Sequence, residues 1–114
     1  MHSVTINRTN HPPLKLVGEV IGHASSKAAG KPKWTDITIY STDSGPLVCQ
    51  VDHRSTAIGD RAVFTKAEVF HSGRALIDWL KADNGGSLGG VSNDALGQAS
   101  SKSATIREAW VVVV

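Results

Sequence analysis

Between Trp34 and Val51 the chain carries two alternating runs joined by a tight turn, and this pattern constrains the fold more than any other. In "WTDITIYST", Ile37 and Ile39 alternate with Trp34, Asp36, Thr38 and Tyr40. Asp43 and Gly45 in "TDSG" supply turn chemistry, and "PLVCQV" returns with Leu47, Cys49 and Val51 in phase. Period-two alternation with β-branched and aromatic residues predicts an antiparallel hairpin with one face toward a core.

Neighbouring segments extend this sheet. "LKLVGEVIGHA" places Leu14, Leu16, Gly18, Val20 and Gly22 on one face and Lys15, Val17, Glu19, Ile21 and His23 on the other. Both faces carry apolar residues, which predicts a central strand or one bulged at a glycine. In "RAVFTKAEVF", Val63, Thr65, Ala67 and Val69 alternate with Phe64, Lys66, Glu68 and Phe70, a strand pattern with helix as the competing reading. The period then changes. Ser72 is placed to cap a helix with Leu76, Ile77 and Leu80 on one stripe, ended by "DNGG". Past the connector "GGSLGG", "SNDALGQASSKS" reads as a weaker helix capped by Ser92. Thr105 and Glu108 sit at capping-box spacing, so a third helix is expected through Trp110, with Val111 to Val114 extended or frayed.

The expected architecture is α+β, an antiparallel sheet of three or four strands followed by two or three C-terminal helices packed on one face. Residues 1–13 read as a flexible arm in which "HPP" fixes an extended exit, and 14–114 as the single domain that 114 residues can sustain. The helix holding Leu76 and Leu80 is the expected cover for the sheet.

No apolar run approaches a membrane span, and the N-terminal residues lack the apolar stretch of a secretory leader. A single cysteine, Cys49, makes no internal disulfide and alternates with Leu47 and Val51 as a small core residue. The expectation is a cytoplasmic protein. Charge is uneven: residues 1–33 hold five cations against Glu19 alone, and the remainder holds seven cations and nine anions. That imbalance biases encounters with charged partners without naming one.

The fragments "GEVIGHASS", "WTDITIY" and "DHRSTAIGD", with a helix ending in "WL", carry one likeness, which covers roughly residues 16–110. Their succession resembles a group of small uncharacterised actinobacterial proteins often found on mobile or prophage elements. Some of that group place a Cys-x-x-Cys pair before the equivalent of Trp34. Here "AAGKPKW" stands there instead, so the resemblance brings no metal knuckle and no defined activity.

Three constellations bear on function. First, the loop "GHASSKAAGKPKW" gathers His23, Lys27, Lys31, Lys33 and Trp34, the components of a basic tip that lies on phosphates while the indole stacks on a base. Its Gly, Ala, Ser and Pro content, and its lack of arginine, favour a solvated connector. Second, Asp52, His53, Arg54, His71 and Arg74 are the tools of a metal-independent ribonuclease, provided the strands bring both histidines to one end of the sheet. Third, Trp110, Val112 and Val114 form an apolar terminus that must dock on its own sheet, on another protein or on a second copy, as across a dimer axis. Trp79 is expected inside, completing a thin core. Histidine spacing fits no metal site, "GGSLGG" is no phosphate loop, and no cofactor is expected. The leading expectation is a small interaction protein, a modulator or inhibitor of a host system. Nucleic-acid binding is the alternative and a small nuclease the remote one.

Overall fold

The computed structural model of the protein describes residues 2–56 and 63–111. Five strands, β1 (His2–Ile6), β2 (Leu14–Ser25), β3 (Lys33–Thr42), β4 (Leu47–Ser55) and β5 (Val63–Phe70), form one antiparallel sheet in chain order. Helices α1 (Gly73–Asp83), α2 (Gly90–Ser100) and α3 (Ala104–Ala109) follow. The α+β class is as expected, but the sheet has five strands rather than three or four.

The extra strand comes from the segment read as an arm. Residues 2–6 pair with β2 from His2↔Gly18 to Ile6↔Leu14, so Val4 and Ile6 lie beside Leu16 and Leu14. "HPP" serves as the return between these strands, helped by Asn10 in the left-handed region (φ 62°). Beyond β1 the chain reaches the opposite edge of the sheet. The Thr9 amide donates to the Thr65 carbonyl (3.0 Å), and the Thr65 amide donates to Thr9 Oγ1 (2.9 Å). First and last strands are thereby tied through one short segment, and part of the β5 edge is satisfied.

The sheet buries apolar residues on both faces. The register puts Ile39 beside Cys49 and Ile37 beside Val51. This face packs against Leu76, Leu80, Leu96 and Ile106 from the helices. On the other face Ile6, Leu14, Leu16, Tyr40, Val48 and Ala67 form a second cluster. β2 serves both because its register shifts between Val20 and Gly22. Before the bulge Leu14 and Leu16 face the second cluster, and after it Ala24 turns to the helix side, which explains the mixed pattern seen in the sequence.

The helical cover is shared rather than supplied by α1 alone. Ala95, Leu96 and Ala99 of α2 are fully buried, and Gly22 lets α2 sit directly on β2: a Cβ there would stand 2.3 Å from the Ala95 carbonyl oxygen. Ser72 caps α1 as expected, accepting from the Ala75 amide (3.1 Å), and the helix ends with Gly86 N–H donating to the Lys81 carbonyl (2.7 Å). Two caps differ from expectation. α2 starts at Gly90 after Gly89, leaving Ser92 buried in its first turn, and α3 is capped by Ser103 in place of Thr105. No described helix is long and apolar enough to cross a membrane.

Candidate functional site

The three strands β3, β4 and β5 finish together at one end of the sheet, and there the side chains with chemistry converge. The ladder aligns Trp34 with Arg54 and Val63 on one face, and Thr35 with His53 and Phe64 on the other. Residues 26–32 lead into this end as a connector, as the composition indicated. Its neck is fixed by the Thr35 amide donating to Ser26 Oγ (2.8 Å), the Ser26 amide to the Thr35 carbonyl (2.9 Å) and the Thr56 amide to the Pro32 carbonyl (2.7 Å). Its tip turns through Gly30 (φ 80°), where Lys31 N–H bonds the Ala28 carbonyl at 3.2 Å.

Lys27 and Lys31 stand exposed on this connector, and the Lys27 ammonium lies 5.0 Å from the Trp34 ring centroid. An open cavity of about 450 Å³ is lined by Lys33, Trp34, Thr35, His53, Arg54 and Phe64, among others. Phe64 is 39% exposed, a large apolar ring turned toward solvent in a cavity it shares with the cationic Lys33 and Arg54.

The arginine absent from the connector thus comes from β4. Arg54 Nε donates to Asp36 Oδ2 at 2.7 Å, and Nη2 lies 3.5 Å from Asp52 Oδ2. Asp52 is 5% exposed and held from behind: Thr65 Oγ1 donates to it at 2.7 Å and Gln50 Nε2 at 3.1 Å, while Gln50 accepts from the Tyr40 hydroxyl at 3.1 Å. One side of the guanidinium is therefore anchored on a satisfied buried network, and the side chain remains 41% exposed. Burial, then the Asp52 charge, push the Tyr40 hydroxyl above its ordinary pKa, so it stays a donor.

His53 is gripped from both sides. Its Nδ1 lies 3.1 Å from Thr35 Oγ1, and its Nε2 lies 3.2 Å from Asp83 Oδ2 at the end of α1. An ionised carboxylate only accepts, so in the neutral ring Nε2 carries the proton and Nδ1 accepts from the threonine hydroxyl. Lys66 closes the cluster, its ammonium 2.6 Å from Asp83 Oδ1. Burial would raise the Asp83 carboxyl, but the hydrogen bonds and charges of Lys66 and His53 outweigh it and hold the group below the ordinary carboxylate range. This arrangement fixes the imidazole and ties the end of α1 to the site.

The residues singled out in the sequence divide. Lys27, Lys33 and Trp34 come together with Arg54, whereas His23 belongs to a separate hollow with Asn93, Asp94, Gln98 and Trp110. Gln98 bonds the His23 backbone in both directions (3.0 and 2.8 Å), and His23 Nδ1 sits 3.0 Å from Thr38 Oγ1. The two-histidine pair is corrected. His53 faces the start of β5, while His71 follows Phe70, which pairs with Leu47 at the other end of β4. Six residues of strand separate them, about 20 Å, too far to share one phosphate. Arg74 lies 3.5 Å from Asp78 on its own helix.

Trp110 ends α3, half-buried against the helix-side core, and Val111 beyond it is 60% exposed. Val112 and Val114 lie outside the described residues. Trp79 is half-buried, its ring 5.4 Å from Phe70 and the Lys66 ammonium 5.0 Å from its centroid. Cys49 is fully buried in the core, and burial, then Asp83, push its thiol pKa far up. Among the described residues no group of three or more His, Cys, Asp or Glu is placed to hold a metal.

Sequence reasoning missed Phe64 and Asp83 as members of this end. The hairpin register, which places Trp34 opposite Arg54, was the available signal for joining the connector to β4. Comparison with family models, with curated proteins and with solved structures finds no match, so the functional reading rests on this geometry.

Proposed function

We propose that this chain is a binding protein for single-stranded nucleic acid that grips its ligand at the shared end of β3, β4 and β5. One observation carries the reading: Trp34 and the exposed Phe64 border the same cavity as Lys33, Arg54 and His53, with Lys27 over the indole. Aromatic faces accept bases of any sequence, while lysine and arginine neutralise the phosphates between them. Among the described residues, five cations (Lys27, Lys31, Lys33, Arg54 and Lys66) stand around this end with Asp36, Asp52 and Asp83, which themselves orient Arg54 and Lys66. The reading takes up the alternative that the sequence offered, nucleic-acid binding through the basic connector, in preference to the leading expectation of a modulator or inhibitor of a host system.

The test is fluorescence anisotropy with labelled oligothymidine and oligouridine at low ionic strength. Wild type is expected to bind with an affinity that falls steeply as salt rises. Trp34→Ala should weaken binding about tenfold or more, the usual worth of one stacked base. Changing Lys27, Lys31 and Lys33 together to Glu should abolish it. A wild-type protein that leaves both oligonucleotides free at low salt would rule the function out.

A further inference from the structure

We infer that the single strand does not end at the Trp34 cavity but continues over Phe64 into a second groove between α1 and the segment after β1. The inference rests on the nucleic-acid reading and extends it to the length and path of the ligand. Phe64 borders two cavities. The second, about 320 Å³, runs along the outer side of β5 and is lined by Arg8, His11, Phe64, Lys66 and Trp79, among others.

This groove repeats the composition of the first. In each, an ammonium lies 5.0 Å from a tryptophan centroid, Lys27 on Trp34 in the first and Lys66 on Trp79 in the second. In each, an arginine is braced by backbone or carboxylate groups at the rim. Arg8 Nη1 donates to the Ala67 carbonyl (3.2 Å), Nε donates to the Pro12 carbonyl (2.9 Å), and Nη1 lies 3.7 Å from Glu68 Oε1. Trp34 and Phe64 thus border the first hollow at the sheet end, and Phe64 and Trp79 border the second, which leads along β5 toward Phe70, so Phe64 is common to both. A ligand of one nucleotide meets only one cavity. A strand of about four nucleotides or more, the lower bound of site sizes for small single-strand-binding folds, can engage both.

The return of the chain after β1 makes this groove. Thr9 is tied to Thr65 by two hydrogen bonds, which sets Arg8 and His11 along β5 in the cavity they share with Trp79 of α1. The residues that the sequence suggested as a loose arm therefore form one wall of the track.

The experiment compares labelled oligothymidines of about three and about eight nucleotides on wild type, on Arg8→Gln and on His11→Glu. His11 is exposed, so its substitution leaves the fold intact, and circular dichroism checks the Arg8 variant. The longer strand should bind wild type at least tenfold tighter than the shorter. Both variants should lose about that factor on the long strand with little change on the short one. Equal affinity for the two lengths, with both variants indifferent, would overturn the second groove while leaving binding at Trp34 standing. If wild type binds neither length, the nucleic-acid reading itself falls and the track with it.

Discussion

Gly22 of β2 and Ala95 of α2 approach so closely that a Cβ placed on the glycine would stand 2.3 Å from the alanine carbonyl oxygen and 3.2 Å from the Ala99 side chain. Backbone cannot yield there without moving α2 off the sheet. Gly22→Val is therefore expected to cost about 2–3 kcal/mol, in the upper range of overpacking substitutions. Urea denaturation checks it through a lowered midpoint. Gly30 is the control: nothing lies within 4 Å of its Cβ position, and only its φ of 80° opposes a side chain. Gly30→Ala should cost about 1 kcal/mol.

Asp83 gives the fold a defined acid response. Its folded pKa is depressed relative to the unfolded value of about 3.9. The stabilisation it contributes is thus complete above that value and is lost as pH falls through the lower, folded pKa. Asp83→Asn should lower the melting temperature at neutral pH, because Lys66 and His53 lose their charged partner, and the difference from wild type should close in acid. Thermal melts of both proteins over a pH series are the measurement. A gap that stays constant down to strongly acidic pH would contradict the assignment.

The buried carboxylate of Asp52 holds together a network that anchors Arg54 from the inner side. Asp52→Ala leaves the Thr65 hydroxyl and the Gln50 amide without their acceptor and is expected to destabilise by about 2–4 kcal/mol. Asp52→Asn keeps one oxygen for Thr65 and should cost less. The same variants should weaken oligonucleotide binding beyond their effect on stability, since Arg54 loses one of its two braces.

Cys49 is fully buried among apolar neighbours, and its thiol is held protonated by that burial. A disulfide-exchange reagent such as Ellman's should leave it unmodified in the native protein and titrate one thiol per chain in denaturant. Rapid modification without denaturant would show that the helix-side core opens.

The local elements were legible because their causes are local. The hairpin of residues 34–51 follows from alternation and a glycine turn, and α1 follows from Ser72 and the Leu76, Ile77 and Leu80 stripe. The strand at 63–70 was harder, since Ala, Lys and Glu also suit a helix. Pairing with β4 decided it by burying Ala67 and Thr65. The first strand was missed because "HSVTI" is short and polar at its start, and only the partner β2 gives Val4 and Ile6 a surface to cover. α2 was undervalued for a related reason. Its stripe of Ala95, Leu96 and Ala99 is small, and it matters only where Gly22 permits contact.

The candidate site was legible in pieces. Lys27, Lys33 and Trp34 were visible as a group, and Arg54 and His53 were visible as another, on the two arms of the same hairpin. Joining them required the register, in which Trp34 and Arg54 are partners across the ladder. The same register separated His53 from His71, because an antiparallel pair sends the start of one strand to the end of the other.

Taken by itself, the sequence determined the strand-then-helix order, the 43–45 turn and the Ser72 cap that local backbone preferences enforce, and a thiol destined for the core. Only the tertiary structure decided the fifth strand, the use of both sheet faces, and the meeting of Trp34, Arg54 and Phe64. Those depend on contacts between residues far apart in the chain, whose energy appears only once loop closure and burial bring them within reach.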